Sequence, residues 1–351
     1  MNRGPAQSDL RDDRKNVEIN VGKACNSRCV FCLDGDPSER DRAFMPLSEL
    51  RAELGRWRQE GYESVGFLGG EPTLYPDLVP AVAHAAELGY SRIALATNAL
   101  VLHDRQRCDR LIAAGLTRVT LSMHGHTAAL EDRLTGVPGA FDKKCQAIGH
   151  LQDWRRRGRL RDGLSVNVVL NGLNQGHLPR LLRFFFDELG LDDLRANFVR
   201  PEGRAARDEQ LTPRFTAVVP QLMKAVILNE HHFHKVFTFA GMPLCVLPDA
   251  LLASSHLLHK SLGDVYRDLQ TDCSIRSEGY DDGVSKVEGG RARFNWQDRK
   301  RFDLKHQAEA CTRCEANPIC EGVWRDYLDR YGCDELTALR RAGDGYRRQE
   351  S

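Results

Sequence analysis

The sequence lacks an excess of charge of either sign, and it also lacks long hydrophobic runs. Its 351 residues include 50 lysines and arginines against 49 aspartates and glutamates, so the formal net charge is +1. This balance gives no bulk electrostatic reason to expect binding to DNA, RNA or an anionic membrane. No apolar stretch approaches the length of a membrane span, and the polar residues 1–16 lack the hydrophobic core of a signal peptide. We therefore expect a cytoplasmic protein without a nucleic-acid or membrane partner.

The cysteines do not follow the pattern of a secreted disulfide framework. There are 11 of them, an odd number, and most fall either in one triplet near the start or in the last third of the chain. This distribution is typical of metal sites in a protein kept under reducing conditions. The chain is long enough, with 41% hydrophobic residues, to form one large globular domain or two unequal ones.

Short β-branched segments alternate with amphipathic stretches of helical length between Val17 and Gly203. This alternation predicts an α/β fold, in which crossover helices connect the strands of a parallel sheet. We expect six strands, near residues 17–22, 64–68, 92–97, 118–123, 164–170 and 194–199. We expect the helices near residues 47–60, 76–88, 104–114, 140–157 and 177–189. In barrels of such units, functional residues collect at the C-terminal ends of the strands.

Cys25, Cys29 and Cys32 follow the first predicted strand, with three residues in the first gap and two in the second. Three thiolates on one loop at this spacing can bind one face of a [4Fe–4S] cluster. The fourth iron then has no protein ligand, which implies that an outside molecule completes the site. The alternatives are a zinc site or three buried thiols, although zinc usually needs paired two-ligand clips or a nearby histidine pair.

Gly69, Gly70, Glu71 and Pro72 follow the second predicted strand. The glycines allow backbone to approach a ligand closely, and the carbonyls together with Glu71 can accept hydrogen bonds from an ammonium group. The alternative is an ordinary glycine turn before a helix. The cysteine spacing and this Gly-Gly-Glu-Pro sequence together resemble the radical S-adenosylmethionine (SAM) superfamily.

That resemblance implies a partial (β/α)6 TIM-like barrel in which the methionine end of SAM occupies the fourth iron. Gly69, Gly70 and Glu71 would then bind the amino group of SAM. The implied reaction is reductive cleavage of SAM to methionine and a 5′-deoxyadenosyl radical, which abstracts a hydrogen atom from the substrate. An external low-potential electron donor, such as flavodoxin or ferredoxin, would be needed.

Four more residues are candidates for SAM contact. Asn98 follows the third predicted strand, where relatives have a similar Thr-Asn-Gly, and Ser122 ends the fourth, where the family places ribose contacts. Asn167 is a polar residue inside the apolar fifth strand, where it would be costly to bury without a partner. Arg133 lies in a segment that resembles a connector of radical SAM enzymes, and there it would pair with the SAM carboxylate. Asn98 as a turn residue and Arg133 as a surface residue are the alternatives.

Two residues are candidates for contact with the substrate or for catalysis. His124 follows the fourth predicted strand and is an acid or base candidate, although no partner carboxylate is identifiable from the sequence. Arg200 follows the sixth strand in a basic segment that could hold a carboxylate or phosphate of the substrate.

Cys311, Cys314 and Cys320 form a second cysteine group, followed by Trp324. The group resembles the C-terminal twitch or SPASM extension, which holds auxiliary [4Fe–4S] clusters. The full SPASM pattern has another cysteine four residues after the third, and here that position is Trp324. The resemblance therefore implies one auxiliary cluster rather than two.

The fourth ligand of this cluster is expected to be Cys245, which lies between prolines in an apolar segment. Cys333 and Cys273 are the alternatives. A zinc ion held by the same cysteines is also open, since Cys-x2-Cys clips serve zinc as well.

These motifs divide the chain into four expected parts. Residues 1–16 form a polar tail, and residues 17–206 form the radical SAM partial barrel. A helical linker and bridging segment covers residues 207–300, and a small cysteine-rich auxiliary-cluster domain covers residues 301–340.

The expected substrate is a small biosynthetic intermediate of the sugar, aminocyclitol or nucleoside type, as in natural product biosynthesis. Peptide-modifying relatives often carry an N-terminal recognition domain, and only residues 1–16 precede the first predicted strand here. Two alternatives are a maturase acting on a ribosomally made peptide and, from another class, a non-catalytic iron–sulfur carrier or scaffold.

Overall fold

Ten strands form one sheet in the computed structural model, which describes residues 13–35, 43–263, 269–276, 285–287 and 291–349. The strands are β1 (Asn16–Asn20), β2 (Ser64–Leu68), β3 (Arg92–Thr97), β4 (Arg118–Ser122), β5 (Gly163–Leu170), β6 (Asp193–Phe198), β7 (Val236–Ala240), β8 (Thr271–Arg276), β9 (Ser285–Val287) and β10 (Arg291–Asn295). Their order across the sheet is β7-β6-β5-β4-β3-β2-β1-β8-β10-β9.

Strands β1 to β8 run parallel to one another, whereas β10 is antiparallel to both β8 and β9. The predicted α/β fold is confirmed, and each of the six predicted strands is present with small shifts at its ends. Two parallel strands, β7 and β8, were not predicted. The β7 sequence VFTFA is a short apolar run, and such a run cannot be assigned to a strand by its periodicity alone.

Helices cover the connections between the strands. They are α1 (Leu47–Gln59), α2 (Leu78–Glu87), α3 (Arg105–Ala114), α4 (Ala128–Thr135), α5 (Ala140–Arg156), α6 (Leu178–Arg183, continued by a π-helical turn to Glu188), α7 (Phe215–Leu228), α8 (Asp249–Leu252), α9 (Ser255–Ser261), α10 (Trp296–Arg299) and α11 (Arg325–Tyr331). None of the helices in the described part of the chain is long and apolar enough to cross a membrane.

The two faces of the sheet differ in polarity. Val119 and Leu121 of β4 and Val166 and Val168 of β5 are fully buried in the apolar core. The residues that alternate with them are mostly polar and half-buried, which is the pattern of strands with one apolar and one polar face. The polar face therefore continues to the C-terminal ends of β4 and β5, where the site lies.

The C-terminal part contains two small hairpin-like pairs, β11 (Lys305–His306) with β12 (Val323–Trp324), and β13 (Leu339–Ala342) with β14 (Gly345–Arg348). Tyr327 attaches this part to α7. Its ring stacks on Phe215 with the centroids 4.0 Å apart, and its hydroxyl accepts a hydrogen bond of 2.9 Å from the Phe215 N–H. Because Tyr327 is fully buried, the contact holds the C-terminal cysteines at a defined place beside the sheet.

Some expected features fall partly outside the described residues. The polar tail expected over residues 1–16 is described only from residue 13. Residues 207–300, the expected bridging segment, are described in part, and β9 and β10 within it pair as antiparallel strands. The sheet also enters the expected bridging segment, since β7 and β8 both lie within residues 207–300.

Candidate active site

The loop that carries Cys25, Cys29 and Cys32 is fixed to its neighbours by backbone hydrogen bonds. The N–H groups of Arg28 and Val30 donate to the last carbonyls of α4 over 2.8 and 3.0 Å. The carbonyl of Cys32 accepts a bond of 2.9 Å from the backbone N–H of residue 204, beyond the end of β6. Cys25 and Cys32 both lie within electrostatic reach of Cys29. The structure therefore brings the predicted triplet together on one constrained loop.

Asn98, at the end of β3, contacts this loop directly. Its side-chain amide donates to Asn26 Oδ1 over 2.8 Å and to Ser27 Oγ over 3.1 Å, and it lies 3.8 Å from the sulfur of Cys25. Hydrogen bonds to a cysteine sulfur influence the properties of a bound cluster. Asn98 is thus placed to orient the cysteine loop, and its predicted contact with SAM stays a prediction.

The side chain of Glu71 is almost fully buried, at 1% exposure. Its carboxylate accepts hydrogen bonds from Thr73 N–H over 3.0 Å, from the Thr73 and Thr97 hydroxyls over 2.5 Å each, and from Asn98 N–H over 2.6 Å. Burial raises the pKa of Glu71, and these four donors oppose the rise. The carboxylate thus connects the loops that follow β2 and β3. Because its oxygens already accept these bonds, the main-chain carbonyls of the Gly-Gly-Glu turn are the more accessible acceptors for an ammonium group.

The glycines before Glu71 allow a close backbone approach to the start of the cysteine loop, and their predicted approach to a ligand stays a prediction. A Cβ on Gly69 would lie 2.3 Å from the carbonyl oxygen of Gly22, and one on Gly70 would lie 2.1 Å from that of Lys23. The N–H of Gly70 donates to the Gly22 carbonyl over 2.8 Å, and that of Glu71 donates to Ala24 over 2.7 Å. The Gly-Gly-Glu turn therefore supports the loop that carries Cys25.

A buried ion pair lies behind the cysteine loop. Sequence reasoning missed it, because no motif or spacing connects its two residues. Lys144 Nζ lies 2.6 Å from Glu131 Oε1, and the two side chains are 1% and 0% exposed. Glu131 also accepts from the backbone N–H groups of His124 and Gly125 over 2.7 and 2.6 Å, while Lys144 donates to the Ser122 carbonyl over 2.8 Å. The pair thus ties α4 and α5 to the end of β4.

His124 is buried, at 1% exposure, between β5 and the cysteine loop. Its Nδ1 accepts a hydrogen bond of 3.0 Å from the Val169 N–H, and its ring meets Phe31 edge-on with centroids 4.7 Å apart. Burial lowers the pKa of His124 to about 4, so the ring is neutral near pH 7. This environment favours a packing role, and a role in acid–base catalysis stays a prediction.

Ser122 and Asn167 are paired across β4 and β5, which places them on the same polar face of the sheet. Asn197 of β6, which was not predicted, donates from its amide to Asn167 Oδ1 over 2.6 Å. It occupies a polar position of β6, whose sequence DLRANF alternates polar and apolar residues, so it does not stand out as Asn167 does. Arg133 is exposed on α4, the helix whose last carbonyls hold the cysteine loop, and none of the described side chains forms an ion pair with it.

Cys245 and the three cysteines of the second group line one cavity of about 380 Å³. They are Cys245, Cys311, Cys314 and Cys320, and the cavity lies between the segment after β7 and the C-terminal strands. The backbone N–H of Leu339 points to the sulfur of Cys314 over 3.3 Å, and burial raises the pKa of Cys245 to about 12. A bound metal would have to displace such a thiol proton.

The two alternative ligands, Cys273 and Cys333, do not line this cavity. Cys273 is buried on β8, where it pairs in register with Glu18 of β1, and Cys333 is exposed. Within the described residues no three His, Cys, Asp or Glu side chains are grouped to share one metal ion. The choice between a zinc ion and a [4Fe–4S] cluster at the four cysteines that line the cavity stays a prediction.

Arg200 lies just beyond β6 and is 18% exposed. It pairs with Glu202 at 2.6 Å, and the centre of its guanidinium lies 4.7 Å from the ring centroid of Trp324. Because Trp324 belongs to the C-terminal part, Arg200 stands where the sheet end and the cysteine-rich segment meet.

Comparison with known proteins agrees with this geometry. The family model of the radical SAM superfamily matches residues 19–185. A probable GTP 3′,8-cyclase of Saccharolobus solfataricus is 33% identical over 245 residues, which cover 68% of this chain and 72% of the relative. The chain belongs to the radical SAM superfamily. The expectation of an enzyme is confirmed, and membership implies a [4Fe–4S] cluster and SAM as cofactors.

Another relative is a PqqA peptide cyclase of Bradyrhizobium diazoefficiens, 33% identical over 195 residues. That match covers 55% of this chain and 48% of the cyclase, so the chain spans about half the length of this relative. Streptococcus suis SuiB, solved with its precursor peptide SuiA, has a TM-score of 0.64 at 16% identity, covering 92% of this chain and 74% of SuiB. An anSMEcpe structure with AdoMet and a peptide has a TM-score of 0.61 at 16% identity, covering 92% and 94%. These likenesses confirm the partial-barrel fold.

The Gly70→Ala variant is expected to lose most of its iron after anaerobic reconstitution. The added Cβ would lie 2.1 and 2.5 Å from two backbone carbonyl oxygens of the cysteine loop, and these cannot move without displacing Cys25. Gly149→Ala is the matched control, because a Cβ there meets nothing within 4 Å on helix α5. Iron content is measured per chain, and wild-type iron in Gly70→Ala would contradict the role of this close approach.

The Lys144→Met variant is expected to lose about 3–5 kcal/mol of the free energy of unfolding, because it leaves the Glu131 carboxylate buried without its cation. Urea titration of the full chain measures the loss, and Lys143→Met is the control at the exposed neighbouring position. The double variant Glu131→Gln with Lys144→Met should be less destabilised than the sum of the single variants. Strict additivity would show that the two side chains do not stabilise each other.

Proposed function

We propose that this enzyme abstracts a hydrogen atom from a small-molecule intermediate of the sugar, aminocyclitol or nucleoside type. The observation that carries the proposal is the constrained loop with Cys25, Cys29 and Cys32 at the C-terminal end of the parallel strands. When bound there, the [4Fe–4S] cluster supplies one electron to the sulfonium of SAM, which gives methionine and a 5′-deoxyadenosyl radical.

The residues around the loop have positioning tasks in this proposal. Asn98 orients the cysteine loop, and Glu71 holds the two strand-end loops together. The polar row of Ser122, Asn167 and Asn197 faces the same end of the sheet and suits the hydroxyl groups of a ribose. Arg133 is free to meet the SAM carboxylate with its planar fork.

A second [4Fe–4S] cluster is proposed at Cys245, Cys311, Cys314 and Cys320. The four thiols share one cavity, and N–H groups point at the sulfurs of Cys314 and Cys245. Backbone donors to cysteine sulfurs are a usual feature of iron–sulfur sites. This cluster would exchange an electron with the substrate radical, and flavodoxin or ferredoxin would serve as the external donor in a reducing cytoplasm.

Two observations bear on the class of substrate. A small cavity lies between the end of β7 and the segment around Cys320, and Glu321 gives its wall a polar side chain. The Saccharolobus relative acts, by its name, on GTP. The second candidate is a peptide maturase, which is favoured by the names of PqqA peptide cyclase and of the peptide-bound SuiB structure. The carrier alternative is no longer proposed, because the superfamily match shows an enzyme.

The variant with Cys25, Cys29 and Cys32 all replaced by alanine is expected to form no 5′-deoxyadenosine and to lose half of its iron. Wild-type protein should hold about eight irons after anaerobic reconstitution, against about four in this variant. Iron, acid-labile sulfide and 5′-deoxyadenosine are measured on the same samples. Continued formation of 5′-deoxyadenosine in the variant would reject the proposed reaction site.

The Cys245→Ser variant is expected to lose about four irons per chain while it still cleaves SAM without product formation. Cys333→Ser, at an exposed cysteine outside the cavity, is the matched control and should retain wild-type iron. A loss of iron in the Cys333 variant with none in the Cys245 variant would assign the fourth ligand to Cys333. Retained zinc with no loss of iron would mean that the cavity holds zinc.

A further inference from the structure

Trp324 occupies the position at which the two-cluster SPASM pattern has an additional cysteine. It lies on β12, opposite Lys305, and is 3% exposed. Its indole Nε1 is buried and meets no hydrogen-bond acceptor among the residues that the structure describes. Buried donors are almost always paired in proteins, so an acceptor supplied by water or by a ligand would satisfy this N–H.

A second donor of this kind lies beside it. The guanidinium centre of Arg200 is 4.7 Å from the Trp324 ring centroid and 5.5 Å from that of Trp296. Its Nη2 pairs with Glu202, but its Nε is buried and likewise has no acceptor in the described part of the chain. One unsatisfied donor thus comes from the end of the sheet, and the other from the cysteine-rich segment.

The surrounding charge favours an anion. Lys305 Nζ lies 4.7 Å from the Trp324 ring and Lys300 Nζ lies 5.8 Å from the Trp296 ring. Both lysines bind the Glu321 carboxylate, over 2.6 and 2.7 Å. Arg200, Lys300 and Lys305 thus bring three cations to the two indole rings, beside the carboxylates of Glu321 and Glu202.

The location suits substrate binding. Glu321 and Cys320 line a small cavity together with Met242, which follows β7. Glu321 therefore contacts the cationic cluster of Arg200, Lys300 and Lys305 and also lines this cavity. Cys320, a ligand of the proposed auxiliary cluster, lies next to it. A group bound at Arg200 would hold the rest of a substrate between the sheet end and that cluster.

We propose that Arg200 and Trp324 bind an oxyanion group of the substrate, either a carboxylate or a phosphate. The guanidinium is held in place by the two indole rings, so its N–H groups are oriented before the anion arrives. The indole N–H adds a neutral donor from the second side, and a charge-assisted bond forms at Arg200. The purpose of the site rests on the proposed function, but binding of an anion does not require cleavage of SAM.

The test is isothermal titration calorimetry of the reconstituted full chain with inorganic phosphate and, separately, with acetate at constant ionic strength. We expect saturable binding of at least one anion to the wild type, at least tenfold weaker binding to Arg200→Gln, and weaker binding to Trp324→Phe. Binding of phosphate alone or of acetate alone would support the site and name its group. Absence of saturable binding of both anions to the wild type would overturn it.

Two controls keep the comparison specific. Arg214→Gln removes an arginine that lies 4.8 Å from the Tyr331 ring, and Trp154→Phe removes an indole whose N–H already donates to Asp109 over 2.6 Å. Both should bind the anion as the wild type does, and equal weakening in Arg200→Gln and Arg214→Gln would reject the proposal. Arg200→Lys keeps the charge without the planar fork, so unchanged affinity in that variant would also count against it.

A separate measurement keeps this proposal distinct from the proposed reaction. Formation of 5′-deoxyadenosine from SAM is measured on the wild type, beside the anion titration. A wild-type protein that binds phosphate but never cleaves SAM would reject the reaction and keep the anion site. A wild-type protein that cleaves SAM but binds neither anion would reject the anion site and keep the reaction.

Discussion

The close backbone contact between the Gly-Gly-Glu turn and the start of the cysteine loop is the constraint on which the rest of the site depends. Residues 22–24 and 69–71 approach so closely that any side chain at Gly69 or Gly70 would collide with a carbonyl oxygen. Glu71, at the end of this contact, collects four hydrogen bonds and connects it to Asn98. Asn98 then reaches back to the cysteine loop. The three cysteines are therefore positioned by backbone contacts and buried polar contacts, which connect the cysteine loop to the Gly-Gly-Glu turn and to Asn98.

Electrostatic support for the same loop comes from behind it. The Lys144 and Glu131 pair is fully buried, and each partner also satisfies backbone groups at the end of β4. Such a pair is costly to desolvate, and it is stable only where further hydrogen bonds complete its coordination. Here that condition is met, so the pair fixes α4 and α5 against the strand ends. Since the end of α4 accepts hydrogen bonds from the cysteine loop, the ion pair acts on the loop through the helix.

The C-terminal part adds a second set of cysteines and a cationic cluster to the same end of the sheet. Stacking of Tyr327 on Phe215 attaches it to α7, and the cation–aromatic contacts of Arg200 join it to the end of β6. The position of Trp324 makes sense in this setting. Where relatives with two auxiliary clusters place a ligand, this chain places a ring that contacts Arg200 and Lys305. In the proposed anion site, this ring orients the guanidinium of Arg200.

Much of the fold and of the site chemistry could be predicted from the sequence, because both depend on local patterns. The alternation of β-branched and amphipathic segments identified six strands, and the spacing of Cys25, Cys29 and Cys32 together with the Gly-Gly-Glu turn pointed to the radical SAM superfamily. What the local patterns could not supply was contact between distant segments. The β7 strand was missed because a short apolar run has no distinctive period, and β8 was missed because its sequence, TDCSIR, is mostly polar. The Lys144 and Glu131 pair, the burial of Glu71 and the convergence of Arg200 on Trp324 follow from packing. Local sequence patterns therefore specified which cofactor-binding motifs the chain carries. The tertiary structure specified which side chains are exposed to a ligand and which are buried in contacts within the protein, because burial and hydrogen-bond partners depend on segments far apart in the chain.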